Sequence, residues 1–257
     1  MKNLKQILNY HADIKNCPQN LFNSADPLQV ATKFKEPNIA LICALFAYGN
    51  ANLIVKFLNS LNYELLDESD EEIRRFYRTF KYRFQSIEDV AEIFITIKRL
   101  KNDESIEELI KKGFLKDETM ISGISNLITK IYSLNSYRSQ GYEFFFGQPV
   151  VKSPKSPYKR YNMYLRWMVR DSDIDLGLFK SLDKKDLLIP LDVHTHRVSQ
   201  RLGLIDRKSY DFKSVELLTN KLREFDKNDP TKYDFALYRL GQSGEIDELL
   251  KENKNGI

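Results

Sequence analysis

Ile39-Ala40-Leu41-Ile42-Cys43-Ala44-Leu45-Phe46-Ala47 is apolar nearly all round the helical wheel, which marks it as a buried central helix rather than a surface one. The segment before it opens on Asp26-Pro27, a cap followed by a first-turn proline, and Gly49 marks the end of the central helix itself. Downstream, apolar residues recur at helical spacing and predict helices over about Asp70 to Phe80, Ile87 to Leu100, Ile106 to Phe114 and Met120 to Leu134. No stretch alternates as a strand does, so the chain is predicted to be all-α.

The chain has 257 residues, 42% of them hydrophobic, enough for one large core or two smaller ones. Its two cysteines, Cys17 and Cys43, lack the spacing of a zinc site or an iron–sulfur cluster, so no such cofactor is expected and both should be reduced thiols of a cytoplasmic protein. The first twenty residues hold no sustained apolar stretch, and no later segment is free of charge for the length of a membrane span. An unexported protein without a membrane partner is expected. The net charge of +4 is small, but it is unevenly spread.

The basic residues gather after a connector, Ser153-Pro154-Lys155-Ser156-Pro157, whose last pair is suited to capping and opening a helix over Tyr158 to Arg170. That helix has an apolar stripe at Tyr161, Tyr164, Leu165 and Met168 and an opposite face that reads as cationic. Between Val151 and Arg170 stand six basic residues (Lys152, Lys155, Lys159, Arg160, Arg166 and Arg170) and no acidic one. Such an asymmetry fits a phosphate-rich partner or, equally on charge alone, a solvated basic face balanced by the acidic stretch that follows, and unsatisfied first-turn N–H groups, which offer a seat for a backbone phosphate, favour the former. Lys152, Lys155, Ser156, Arg160 and Arg166 are the candidate contacts to it. Lys159 falls within one turn of the same point, where cationic neighbours and partial desolvation favour the neutral, nucleophilic amine. The aspartate-rich stretch from Asp171 to Asp186 reads as a solvated link.

Pro190-Leu191-Asp192-Val193-His194-Thr195-His196-Arg197 then places an aspartate directly before a further helical pattern that runs to about Leu202. Gly203 stands where a left-handed C-cap is wanted, and Leu204 can fold back onto the helix. Helices over about Ser214 to Phe225 and Pro230 to Leu240 follow, the second stopping at Gly241, and Glu248 to Ile257 is a polar tail. A helix-starting aspartate is most often only a cap, and a lysine in a helix is most often a surface residue. As a pair across a cleft, the Lys159 amine can attack an electrophilic sugar carbon while the Asp192 carboxylate steadies the positive charge that develops there.

Lys159-x-x-Asn162 in a helix, with Pro190-Leu191-Asp192-Val193-His194-x-x-Arg197-Val198 downstream, resembles the helix-hairpin-helix DNA glycosylases around their catalytic lysine and aspartate. The whole chain also looks like a bacterial family of uncharacterised proteins with that signature, through Lys159-Arg160-Tyr161-Asn162-x-x-Leu165-Arg166-Trp167-Met168-Val169-Arg170 and Asp229-Pro230-x-Lys232-Tyr233-Asp234-Phe235-Ala236-Leu237. The resemblance implies a two-lobed helical fold: residues 28–170 form a central bundle ending in the basic hairpin-like helix, and residues 1–27 plus 171–257 form the lobe with the aspartate helix. It implies a monomeric DNA-repair glycosylase, with or without AP-lyase activity, acting on duplex DNA that carries a damaged base flipped out of the helix. Lys159 would form the Schiff base, Asp192 would assist it, and His194, His196 and Arg197 would join the DNA contacts. Tyr48, Tyr158 and Trp167 would stand near the extruded base. The glycine-rich turn of those enzymes is replaced here by Ser153-Pro154-Lys155-Ser156-Pro157-Tyr158, which should not adopt the left-handed backbone that glycine allows.

Two rival readings remain. Asp192-x-His194-x-His196 matches a metal-binding segment of hydrolase barrels, although the only other histidine is His11 and the helical periodicity argues against a barrel. The scaffold can also serve a non-catalytic nucleic-acid-binding protein.

Overall fold

A computed structural model of the protein describes residues 2–150, 153–172 and 174–243. Lys152 and the tail from Glu248 to Ile257 lie outside the described residues. Among the described residues the chain is helical throughout, with no β-strand. In order the helices are α1 (Lys2–Lys15), α2 (Pro18–Phe22), α3 (Leu28–Phe34), α4 (Pro37–Leu45), α5 (Ala51–Ser60), α6 (Asp70–Tyr77) and α7 (Ile87–Asp103). They continue as α8 (Ile106–Phe114), α9 (Met120–Leu134), α10 (Gln140–Phe146), α11 (Lys159–Val169), α12 (Val193–Arg201), α13 (Phe212–Phe225) and α14 (Asp234–Ser243), with three short 3-10 turns between.

The chain divides into two compact units, Ala25–Ser153 and a discontinuous one made of Met1–Ser24 with Pro154–Ile257. The sequence placed the basic helix with the central bundle. In the structure α11 belongs to the discontinuous unit, because its arginines are ion-paired with Asp229 and Asp234 of that unit.

In the continuous unit, α4 is the buried helix that its sequence predicts, with every residue from Asn38 to Leu45 inside. Pro37 opens it, and the Glu36 carboxylate accepts the Ile39 N–H at 2.6 Å, supplying the cap that a wholly apolar helix cannot provide for itself. α8 and α9 form a tight pair. A β-carbon on Gly113 would lie 2.4 Å from the Ser122 carbonyl oxygen, so the approach of these helices depends on a residue without a side chain.

The discontinuous unit ties the two ends of the chain together. Leu8 and Ala12 bury one side of α1, Tyr233 donates its hydroxyl to Asn9 Oδ1 at 2.8 Å, and Asn16 Nδ2 donates to the Lys232 carbonyl at 2.8 Å. α12 ends as its sequence predicts: Gly203 takes φ 69°, and the Leu204 N–H returns to the Ser199 carbonyl at 2.9 Å. α14 does not stop at Gly241 but passes through it to Ser243. The stretch after α11 is not a solvated link. Leu176 and Phe179 donate to the Trp167 and Met168 carbonyls at 2.7 and 2.8 Å, closing the end of α11, while Ile174, Asp175 and Phe179 are buried.

Candidate active site

Three helix starts supply the site. Lys159 is the first residue of α11, Asp192 caps α12, and Asp234 is the first residue of α14. The sequence placed α11's cap at Ser156-Pro157, but the helix begins later, after Tyr158 at φ 48° and ψ 34°. The left-handed turn judged to need glycine is therefore made by a tyrosine, at a strain of about 1 to 2 kcal/mol. The surroundings over-determine it: Asn162 Nδ2 donates to the Pro157 carbonyl at 3.1 Å, and the Phe212 N–H donates to the Lys155 carbonyl at 3.1 Å. Asn162, part of the lysine motif, thus pins the turn that delivers Lys159.

Asp192 uses Oδ1 as the cap, accepting the Thr195 N–H at 2.7 Å. Its loop is held by Tyr210, whose hydroxyl donates to the Leu191 carbonyl at 2.8 Å. Burial, together with the nearby Asp192 carboxylate, pushes the Tyr210 phenol up to about 12.

Asp234 connects the two. Its carboxyl group is buried and feels the charges of both Asp192 and Lys159. Desolvation is the main force on it and raises its pKa to about 6. Arg166 and Lys159 oppose that rise, and Asp192 adds to it.

Beneath Asp234 runs a buried ion network. Arg166 Nη1 bonds Asp234 Oδ2 at 2.6 Å, and its Nε lies 3.2 Å from Asp175 Oδ1, an ion pair without hydrogen-bond alignment. One helical turn on, Arg170 Nε is 3.0 Å from both Asp229 oxygens, and its Nη1 bonds Asp175 Oδ2. Two guanidiniums face three carboxylates, which leaves one negative charge in excess.

The remaining predicted residues separate by burial. Arg166 is 4% exposed and committed to aspartates, so it is not a surface phosphate contact as it stands. Trp167 is 1% exposed and belongs to the core of its unit rather than to an open pocket. His196 is buried with Nε2 3.1 Å from the Arg207 carbonyl, whereas His194 and Arg197 are exposed on the same helix. Lys155 and Ser156 are exposed, and Tyr158, Lys159 and Arg160 are half-buried. Tyr48 lies in the other unit, half-buried, its hydroxyl donating to Gln85. The cationic face read from the sequence is thus thinner than six charges, since Arg166 and Arg170 point inward.

The sequence reading missed Asp175, Asp229 and Asp234. A signal was present: two arginines four apart on an otherwise apolar helix need carboxylates if that helix is to be buried. Among the described residues no group of three or more histidine, cysteine, aspartate or glutamate side chains is arranged to hold a metal ion.

No curated protein and no solved structure matches the chain. The expectation of a helix-hairpin-helix DNA glycosylase is corrected by the family comparison, in which an uncharacterised family matches and nothing carries that signature. The matching model, described as Protein of unknown function (DUF2400), covers residues 26–243, and the chain belongs to that family.

Proposed function

We propose that the protein removes a damaged base from DNA by N-glycosidic bond cleavage, with Lys159 as nucleophile and Asp192 as the assisting carboxylate. The observation that carries this reading is that Lys159 and Asp192 each stand at a helix start within the same compact unit, Lys159 opening α11 and Asp192 capping α12. Asp192 keeps one oxygen on the helix cap, which fixes the carboxylate in place.

In the proposed reaction the Lys159 side chain gives up its ammonium proton to solvent, and the amine so formed attacks C1′ of the deoxyribose. The bond from C1′ to the base breaks, and the base leaves with that electron pair and takes up a proton. Asp192 stabilises the positive charge shared by C1′ and the ring oxygen during this step. The amine nitrogen then loses a proton, the ring opens, and an imine links Lys159 to the sugar. Water hydrolyses the imine, or loss of a C2′ proton expels the 3′-phosphate first. Asp234, with a pKa near 6, is suited to accept and return the amine proton near neutral pH.

The test is base release from duplexes carrying a broad panel of lesions. Lys159→Ala and Asp192→Asn should each lower the rate by about 100-fold or more, and asparagine keeps the cap, so the fold should persist. No release from any lesion overturns the reading. A non-catalytic nucleic-acid-binding role is the second reading, favoured by the exposure of Lys155, His194 and Arg197.

A further inference from the structure

The continuous unit carries a second surface that the lysine chemistry does not use. Phe84 is 58% exposed and Phe144 41% exposed, a cost that a solvated turn and helix could have avoided with polar residues. Their rings meet at 5.0 Å, and both meet Tyr48, which lies nearly parallel to Phe84 at 6.2 Å and 11°. The Arg83 guanidinium stands 5.3 Å from the Phe84 ring centre and 5.9 Å from that of Tyr48.

Arg83 also lines a pocket of about 340 Å³, together with Lys56, Lys81, Leu53, Phe57 and Tyr82. The lining holds three cations and no carboxylate, and Lys56, Lys81 and Arg83 are all exposed. Phe57 and Tyr82 stack at 4.2 Å on its apolar side.

The surface is stiff. Tyr82 and Gln85 bridge the turn, Tyr82 donates its hydroxyl to the Tyr48 carbonyl at 3.0 Å, and buried Gln85 donates to the Gly141 carbonyl at 2.8 Å. Arg83 is held at φ 51°, a left-handed conformation that costs a non-glycine residue energy and turns its side chain over the rings.

We propose that this surface binds single-stranded nucleic acid, stacking an unpaired base on Phe84 with Phe144 against its edge and placing the flanking phosphates on Lys56, Lys81 and Arg83. Flat exposed rings supply sequence-tolerant stacking, and the cations supply backbone attraction. Neither an apolar peptide nor a lipid tail would call for three uncompensated cations around the pocket. The proposal stands on the continuous unit alone and does not depend on Lys159.

The test is fluorescence anisotropy of a labelled mixed-sequence single-stranded oligonucleotide with the full chain, beside a blunt duplex of the same sequence. Phe84→Ala should weaken single-strand binding about tenfold and leave duplex binding nearly unchanged. Lys81→Gln should reduce the steepness of the salt dependence by about 0.7. Lys159→Ala should leave single-strand binding as it is, which separates this site from the proposed catalytic one. Both side chains are exposed, and unchanged melting temperatures would confirm that the variants fold. Unaltered single-strand affinity in Phe84→Ala and Lys81→Gln overturns the proposal. So does displacement of the oligonucleotide by an equal concentration of acidic peptide.

Discussion

Arg166 Nη1 donates to Asp234 Oδ2 at 2.6 Å with both side chains buried, joining the middle of α11 to the start of α14. The pair fixes a buried carboxyl group whose proton affinity responds to both Lys159 and Asp192. Removing the cation strands a buried carboxylate. Arg166→Met should lose about 3 to 5 kcal/mol at pH 7, read from urea unfolding, and less at pH 5, where Asp234 can take up a proton. Equal losses at the two pH values would contradict this account of the network.

The pH dependence follows from the raised pKa of Asp234. Because the folded state holds the proton more tightly than the unfolded chain, this group favours folding most below pH 4. Its contribution falls as pH rises from about 4 through about 6. Asp211 acts in the opposite direction: its hydrogen bond with Arg207 holds its pKa down to about 2, so the stability it adds above pH 4 disappears on further acidification. Asp234→Asn should therefore remove the downward slope between pH 4 and 6 and leave the acid limb in place. Unfolding free energies measured across that range would decide it.

The crossing of α8 and α9 should tolerate no side chain at Gly113. Gly113→Ala forces a β-carbon against the Ser122 backbone and should destabilise by about 1 to 3 kcal/mol despite alanine's better helix propensity. An unchanged thermal midpoint would show that the helices can separate there at little cost.

Asn162 is expected to matter through the turn rather than through chemistry. Asn162→Ala removes the bond to the Pro157 carbonyl and should lower stability by about 1 kcal/mol, seen as a shifted urea midpoint with unchanged slope.

The legible parts of the fold were those with a local cause. An unbroken apolar run announced α4, and the Asp192 cap with the Gly203 ending framed α12 from both sides. α1 was not legible because it is polar-rich, with few apolar residues to announce a buried face, and its partners Lys232 and Tyr233 lie more than two hundred residues away. Arg166 and Arg170 failed for a related reason, since helical periodicity cannot distinguish a solvated cationic face from guanidiniums turned toward remote carboxylates. Asp175 was concealed inside a charged stretch whose composition suggested a link, although Ile174 and Phe179 beside it are buried. At the proposed site, Lys159 and Asp192 are candidates from residue type and helix position. Asp234 is not, because its role depends on burial.

The most direct measurement is borohydride reduction of the protein during reaction with lesion-containing DNA, followed by peptide mapping of the trapped complex. The account predicts a covalent sugar adduct on the Lys159 amine, absent in Lys159→Ala and diminished in Asp192→Asn. A base-excising protein whose adduct maps to another residue, or that forms none at all, would contradict it.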